Sequence, residues 1–136
     1  MKINLQSDIH IGFRKHYEPN LTGVDLLILA GDVGERLQGF EFCERLLLKY
    51  PEVQIIHVAG NHEFYTNDRM EKVLFKLRQK SKETDRYYFL ENESVVIEGI
   101  RFIGSTLWTS LNNKDPMTMY TIQNGLNDYN YIRSEK

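Results

Sequence analysis

The sequence predicts an α/β fold with a parallel β-α-β core, and three observations lead there. Short apolar runs ("INL" at 3–5, "DLLILA" at 25–30, "VQIIHVA" at 53–59) are bounded by turn residues, as strands buried on both faces are. Segments with helical spacing follow the second and third runs. A chain of 136 residues that is 41% hydrophobic suits one domain with a real core and leaves little room for a second. Strand, helix, strand, helix in this order implies parallel pairing through right-handed crossovers.

Taken in order, the first run precedes "SDIH" and the second precedes "AGDVG". The stretch "ERLQGFEFCERLLLKY" places Leu37, Phe40, Glu44 and Leu47 at helical intervals, and Pro51 ends that helix because the residue before proline is pushed out of the helical region. Cys43, the single cysteine, excludes an internal disulfide and reads as a small apolar residue within this helix. The third run precedes "AGNHEFY". The next helix, "NDRMEKVLFKLRQKSK", carries Met70, Val73, Leu74 and Leu77 on one face, with Asn67 or Asp68 available as its cap. Its lysines and arginines form the solvated face such a helix requires. Without an accompanying aromatic-basic pattern they give little support to a nucleic-acid-binding domain. The runs "RYYFLEN", "ESVVIEG" and "IRFIGSTLW" then read as strands, with Glu98-Gly99 at a tight hairpin turn. From Thr109 onward the chain has no sustained period, and a loop with at most a short helix is expected.

A net charge of −2 with both signs mixed provides no long-range field for nucleic acid or an anionic membrane. No run approaches the length of a membrane span and no cleavable apolar leader is present, so the expected location is cytoplasmic.

The polar punctuation after each apolar run is the main functional signal. In an open α/β sheet, ligands bind beyond the carboxyl ends of the parallel strands, so three such tips would lie side by side. Asp8 and His10, two residues apart in an extended segment, project the same way. Asp32 follows Gly31, and Asn61 follows Gly60. Each tip alone is an ordinary turn; together they offer two carboxylates, an imidazole and an amide oxygen. That mixed set suits Mn, Fe, Zn, Co or Ni better than Ca, with Mg second-best.

In order and spacing, Asp8-x-His10, Gly31-Asp32 and Gly60-Asn61-His62-Glu63 resemble the first three motifs of the calcineurin-like metallophosphoesterases, and "FIGSTLW" resembles the strand that follows in small bacterial and phage members. The resemblance implies the N-terminal part of a four-layered αββα sandwich carrying a two-metal hydrolase site for a phosphomono- or diester. It implies that Asp8 and His10 hold the first metal, Asp32 bridges both, Asn61 holds the second, and His62 faces the substrate phosphate without binding metal. The family's later histidines have no counterpart, since the four histidines stand at 10, 16, 57 and 62. Three alternatives follow: a piece of a longer enzyme, a short form without catalysis that serves as a metal-binding or interaction module, or a short form completed by another subunit. His16 is a conceivable substitute ligand, and His57, inside the third strand, reads as a hydrogen-bonded core residue. Because half of the second sheet has no sequence to form it, an apolar face would stay uncovered, and homo-oligomerisation is expected, through the "RFIGSTLW" edge among others. Trp108 belongs either to that surface or to the core.

Overall fold

The computed structural model describes residues 1–14 and 16–135. One sheet contains β1 (Ile3–Gln6), β2 (Leu26–Ala30), β3 (Gln54–Val58) and β4 (Tyr87–Phe89), in that order and all parallel. The "RYYF" run thus joins the parallel sheet as a fourth strand, in register Ile55↔Tyr87. The crossovers are α1 (Gln38–Lys49) between β2 and β3, and α2 (Met70–Glu83) between β3 and β4.

Alternation along the strands divides the core into two layers. Leu27, Leu29, Ile55, Tyr87 and Phe89 pack with Phe40, Cys43 and Leu47 of α1 and with Val73 and Leu77 of α2. Leu26 and Ile56, on the opposite face, pack with Leu90 and Ile97. Each of these leucines and isoleucines is essentially withdrawn from water and contributes about 1.5–3 kcal/mol. The second layer is an antiparallel hairpin of β5 (Glu93–Ile97) and β6 (Ile100–Gly104). It turns as expected at Glu98-Gly99, both at positive φ (49° and 79°), the conformation in which a two-residue turn matches strand twist. Helices, parallel sheet and hairpin are the N-terminal part of an αββα sandwich.

Three local expectations are corrected. β1 is an edge strand, not one buried on both faces. Its register places Ile3 and Leu5 in the rows of Leu26 and Ile28, but the hairpin leaves them uncovered, and they are 44% and 67% exposed. The N-cap of α2 is Arg69, without a side-chain bond. Neither residue expected there, Asn67 or Asp68, caps the helix, and Asp68 instead binds Lys72 and Lys76 at 2.7 and 2.9 Å. Beyond Thr109 the chain forms α3 (Leu111–Lys114, a left-handed turn), α4 (Pro116–Gly125) and α5 (Asp128–Tyr131) rather than a loop. Asp115 caps α4 by accepting from the Thr118 N–H at 2.8 Å, with Pro116 at the first helical position. The end of this tail returns to α2, where the Met70 N–H donates to the Arg133 carbonyl at 2.7 Å. Among the described residues, no helix is long and apolar enough to cross a membrane.

Candidate active site

The strand order β1-β2-β3 brings the three polar tips into contact. Backbone bonds fasten the first tip to the second: the Asp8 N–H donates to the Gly31 carbonyl at 3.1 Å and the His10 N–H to the Asp32 carbonyl at 3.0 Å. Asp8, His10 and Asp32 all occupy the left-handed region, with φ of 53°, 49° and 54°. That conformation costs a non-glycine residue about 1–3 kcal/mol, and three of the four candidate ligands adopt it, Asn61 at φ −78° being the exception. The second and third tips approach so closely that a Cβ at Gly60 would lie 2.2 Å from Asp32 Oδ1, and one at Gly31 would lie 3.0 Å from Gly60 Cα. Only glycines permit that approach.

A buried carboxylate holds this junction. Glu63 is fully inaccessible and accepts from the backbone N–H groups of Gly60 (2.7 Å), Val33 (2.8 Å) and Asp32 (3.1 Å). The third tip is thereby tied to the second, and the His62 N–H adds a bond to Asp32 Oδ1 at 2.9 Å. Beneath Glu63 lies His57, buried as expected, with Nδ1 2.8 Å from the Tyr87 hydroxyl and Nε2 3.6 Å from Glu63 Oε1. Burial pushes the Glu63 carboxyl upward, but His57 and the Gly60 and Val33 N–H groups outweigh it and hold the acid below its ordinary value. For Asp32 the balance is reversed. Burial, aided by the Glu63 charge, raises its carboxyl above the ordinary value despite the His62 N–H and the two neighbouring imidazoles. A cation would relieve that imbalance.

The ligand atoms of His10, Asp32 and His62 all lie within 4.8 Å of one another. His10 Nε2 is 3.9 Å from Asp32 Oδ2, and the two imidazoles meet edge to face with centroids 4.4 Å apart. A carboxylate flanked by imidazoles fits a borderline divalent transition metal. Asp8, joined to the second tip through its backbone, is exposed and is not among the residues whose ligand atoms meet there, and Asn61 sits between Gly60 and His62. His62, for which the resemblance implies a phosphate-facing role, stands as near to Asp32 and His10 as a ligand would. His16 is not brought to the cluster; it lines a separate cavity with Tyr17, Phe42, Arg45 and Lys49. Two other cavities open at the tips. One of about 650 Å³ is bordered by His62, Tyr65, Phe13, Arg36, Tyr131 and Arg133. The other, of about 620 Å³, is bordered by Gly60, Asn61, Thr106, Trp108 and Asp128. Trp108 is 48% exposed at this rim, with its ring 6.1 Å from that of Phe64. Sequence reasoning assigned no role to Glu63 and did not single out Tyr65 or Asp128. Glu63 stands inside the third motif, but its bonds to Asp32 and Val33 and the bond from Tyr65 to Asp128 join residues 30 to 63 positions apart, which no local pattern marks.

Comparison with known proteins agrees with this geometry. The chain is 27% identical over 113 residues to the uncharacterized protein L509 of Acanthamoeba polyphaga mimivirus, a match covering 79% of this chain and 39% of that protein. The chain therefore spans about two-fifths of the length of that curated relative. A family model, that of the calcineurin-like phosphoesterases, matches residues 1–134. With the three motifs converging at adjacent strand ends and the match running almost end to end, the chain belongs to the calcineurin-like phosphoesterase family.

Proposed function

We propose that this chain carries the ligand-bearing half of a metal-dependent phosphoesterase, hydrolysing a phosphomonoester or phosphodiester at a binuclear site. The observation that carries this reading is the junction of the strand tips, where the Asp8 and His10 N–H groups donate to the Gly31 and Asp32 carbonyls and where His10, Asp32 and His62 present ligand atoms within 4.8 Å of one another. In this reading Asp8, His10 and Asp32 hold one cation, and Asp32 and Asn61 hold the second. Paired divalent cations supply a nucleophilic hydroxide at neutral pH and neutralise phosphoryl charge. Mn, Fe, Zn, Ni or Co suits the donors better than Mg. His62, reached from the 650 Å³ cavity, faces the phosphoryl group and donates a hydrogen bond to its oxygen or a proton to the leaving group. Glu63, by fixing the Asp32 and Gly60 backbones, keeps these groups in place.

The test is hydrolysis of p-nitrophenyl phosphate and bis(p-nitrophenyl) phosphate with Mn²⁺ or Ni²⁺. Turnover that depends on the metal and vanishes in Asp32→Ala is expected. A chain that binds no divalent metal up to millimolar concentration contradicts the reading.

One observation favours a second reading, a catalytically deficient relative acting as a metal-binding or interaction module. Of the four histidines, His57 is buried against Tyr87 and His16 lines another cavity, so only His10 and His62 reach the site. Metal binding without turnover, unaffected by His62→Ala, would support it.

A further inference from the structure

We propose that Asp128, delivered by the C-terminal tail, is a positioning residue that aims the Asn61 carbonyl oxygen at the metal site. The inference rests on Asn61 serving as a metal ligand. An amide has a donating and an accepting end, and only the oxygen can ligate a cation. Asn61 Nδ2 lies 2.7 Å from Asp128 Oδ1, and 3.4 Å from the Tyr65 hydroxyl. A carboxylate only accepts, so its partner must be the amide nitrogen, and Oδ1 of Asn61 is turned the other way. Rotation of the amide by 180° would set two oxygens against each other and is thereby suppressed. Charge assistance makes this bond stronger than one to a neutral acceptor.

The same carboxylate oxygen accepts a second bond, from the Tyr65 hydroxyl at 2.6 Å. The Tyr65 ring stacks on His62 at 4.3 Å between centroids, and the Tyr131 ring lies tilted against Tyr65 at 5.1 Å. Asp128 therefore braces both residues of the third tip, Asn61 directly and His62 through the Tyr65 ring. It is itself held because the tail is fastened on its C-terminal side: Arg133 accepts from the Met70 N–H, Ile132 packs against the main core, and the Glu135 N–H donates to Glu71 Oε1 at 3.1 Å. Residues 67 positions apart are thus joined by a bond whose polarity fixes a ligand's orientation.

Calorimetric titration of the full chain with MnCl₂, run in parallel for wild type, Asn61→Ala, Asp128→Ala, Asp128→Asn and Tyr65→Phe, tests this. Asp128→Ala is expected to weaken the same Mn²⁺ step that Asn61→Ala weakens, by roughly 10–100-fold, as loss of an outer partner does. Other steps stay unchanged, a selectivity that general loosening of the fold would not produce. Asp128→Asn, which loses the charge but keeps an acceptor, is expected to lose a smaller part of that affinity. Tyr65→Phe keeps the ring on His62 and the Asn61–Asp128 bond, and is expected to titrate close to wild type. Thermal melts accompany each titration, and if Asp128→Ala is unfolded, Asp128→Asn decides in its place. Wild-type Mn²⁺ affinity in the folded Asp128 variants, alongside a weakened Asn61→Ala, overturns the proposal alone. If Asn61→Ala itself changes no step, Asn61 is not a ligand, and that reading falls together with the role of Asp128.

Discussion

Glu63 offers its oxygens to backbone N–H groups of both β2 and β3 tips and has none to spare for a cation, yet the candidate ligands depend on it. Replacing it with alanine would leave the Gly60, Val33 and Asp32 N–H groups without their acceptor in a buried site. Each unsatisfied group costs about 1–3 kcal/mol, so Glu63→Ala is expected to destabilise the fold by about 3 kcal/mol or more. Urea unfolding measures this as a lowered midpoint, and a wild-type midpoint would show that the tips hold together without it. Residue roles of this kind mark the limit of what the sequence makes legible. Asp8, His10, Asp32, Asn61 and His62 stand out because each closely follows an apolar run, a local signal. Glu63 lies in the same string, but the Val33 N–H it binds is 30 positions away. Asp128, in an unpatterned tail, gives no signal until the fold brings it to Asn61.

Among the elements, the helices and the hairpin were legible where periodicity or turn chemistry specified them. Val73 and Leu77 are buried on the predicted face of α2, and the β5–β6 turn falls at Glu98-Gly99. Caps and edges were less legible because they depend on competition between partners. Asp68 could have capped α2, but Lys72 and Lys76 reach it first, and they hold its carboxyl down to about 2. The sign of the consequence is fixed: a carboxyl lowered from its ordinary 3.8 stabilises the fold above that pH and loses the contribution as pH falls towards about 2. The group is open to solvent, and the effect is correspondingly small. Asp68→Asn is expected to melt slightly below wild type at pH 6, with the gap closing by pH ~2. An unchanged gap at both pH values would assign the effect to something other than this ion pair. Lys76, Arg78 and Lys80 of the same helix also face carboxylates, on Asp68, Glu93 and Glu83, which accounts for much of its basic face without a nucleic acid.

At the scale of the whole molecule, the second layer consists of two strands under a four-stranded parallel sheet, and apolar surface remains uncovered as a result. Ile3 and Leu5 are exposed on β1, Val96 and Ile103 on the outer face of the hairpin, and Leu107 beyond it is 93% exposed. The sequence implied this imbalance, since the strand-like runs end at "FIGSTLW"; which side chains it would expose required the register of β1 against β2. Among the described residues β6 pairs only with β5, which leaves its other edge without a strand partner beside exposed Ile103. Free edges with apolar side chains template pairing with another chain, and a two-fold arrangement lets β6 of one copy extend the hairpin of a second. We therefore predict that the 136-residue chain forms a dimer or larger assembly in light scattering at moderate concentration. Ile103→Lys, which places a charge beside that edge while leaving the inward-facing Phe102 intact, is expected to shift the population towards monomer without lowering the melting temperature of the monomer itself. A wild-type chain that scatters as a monodisperse monomer across the same concentrations would contradict the prediction, and an Ile103→Lys variant that remains a dimer would place the contact elsewhere, with the exposed β1 row of Ile3 and Leu5 as the next surface to charge.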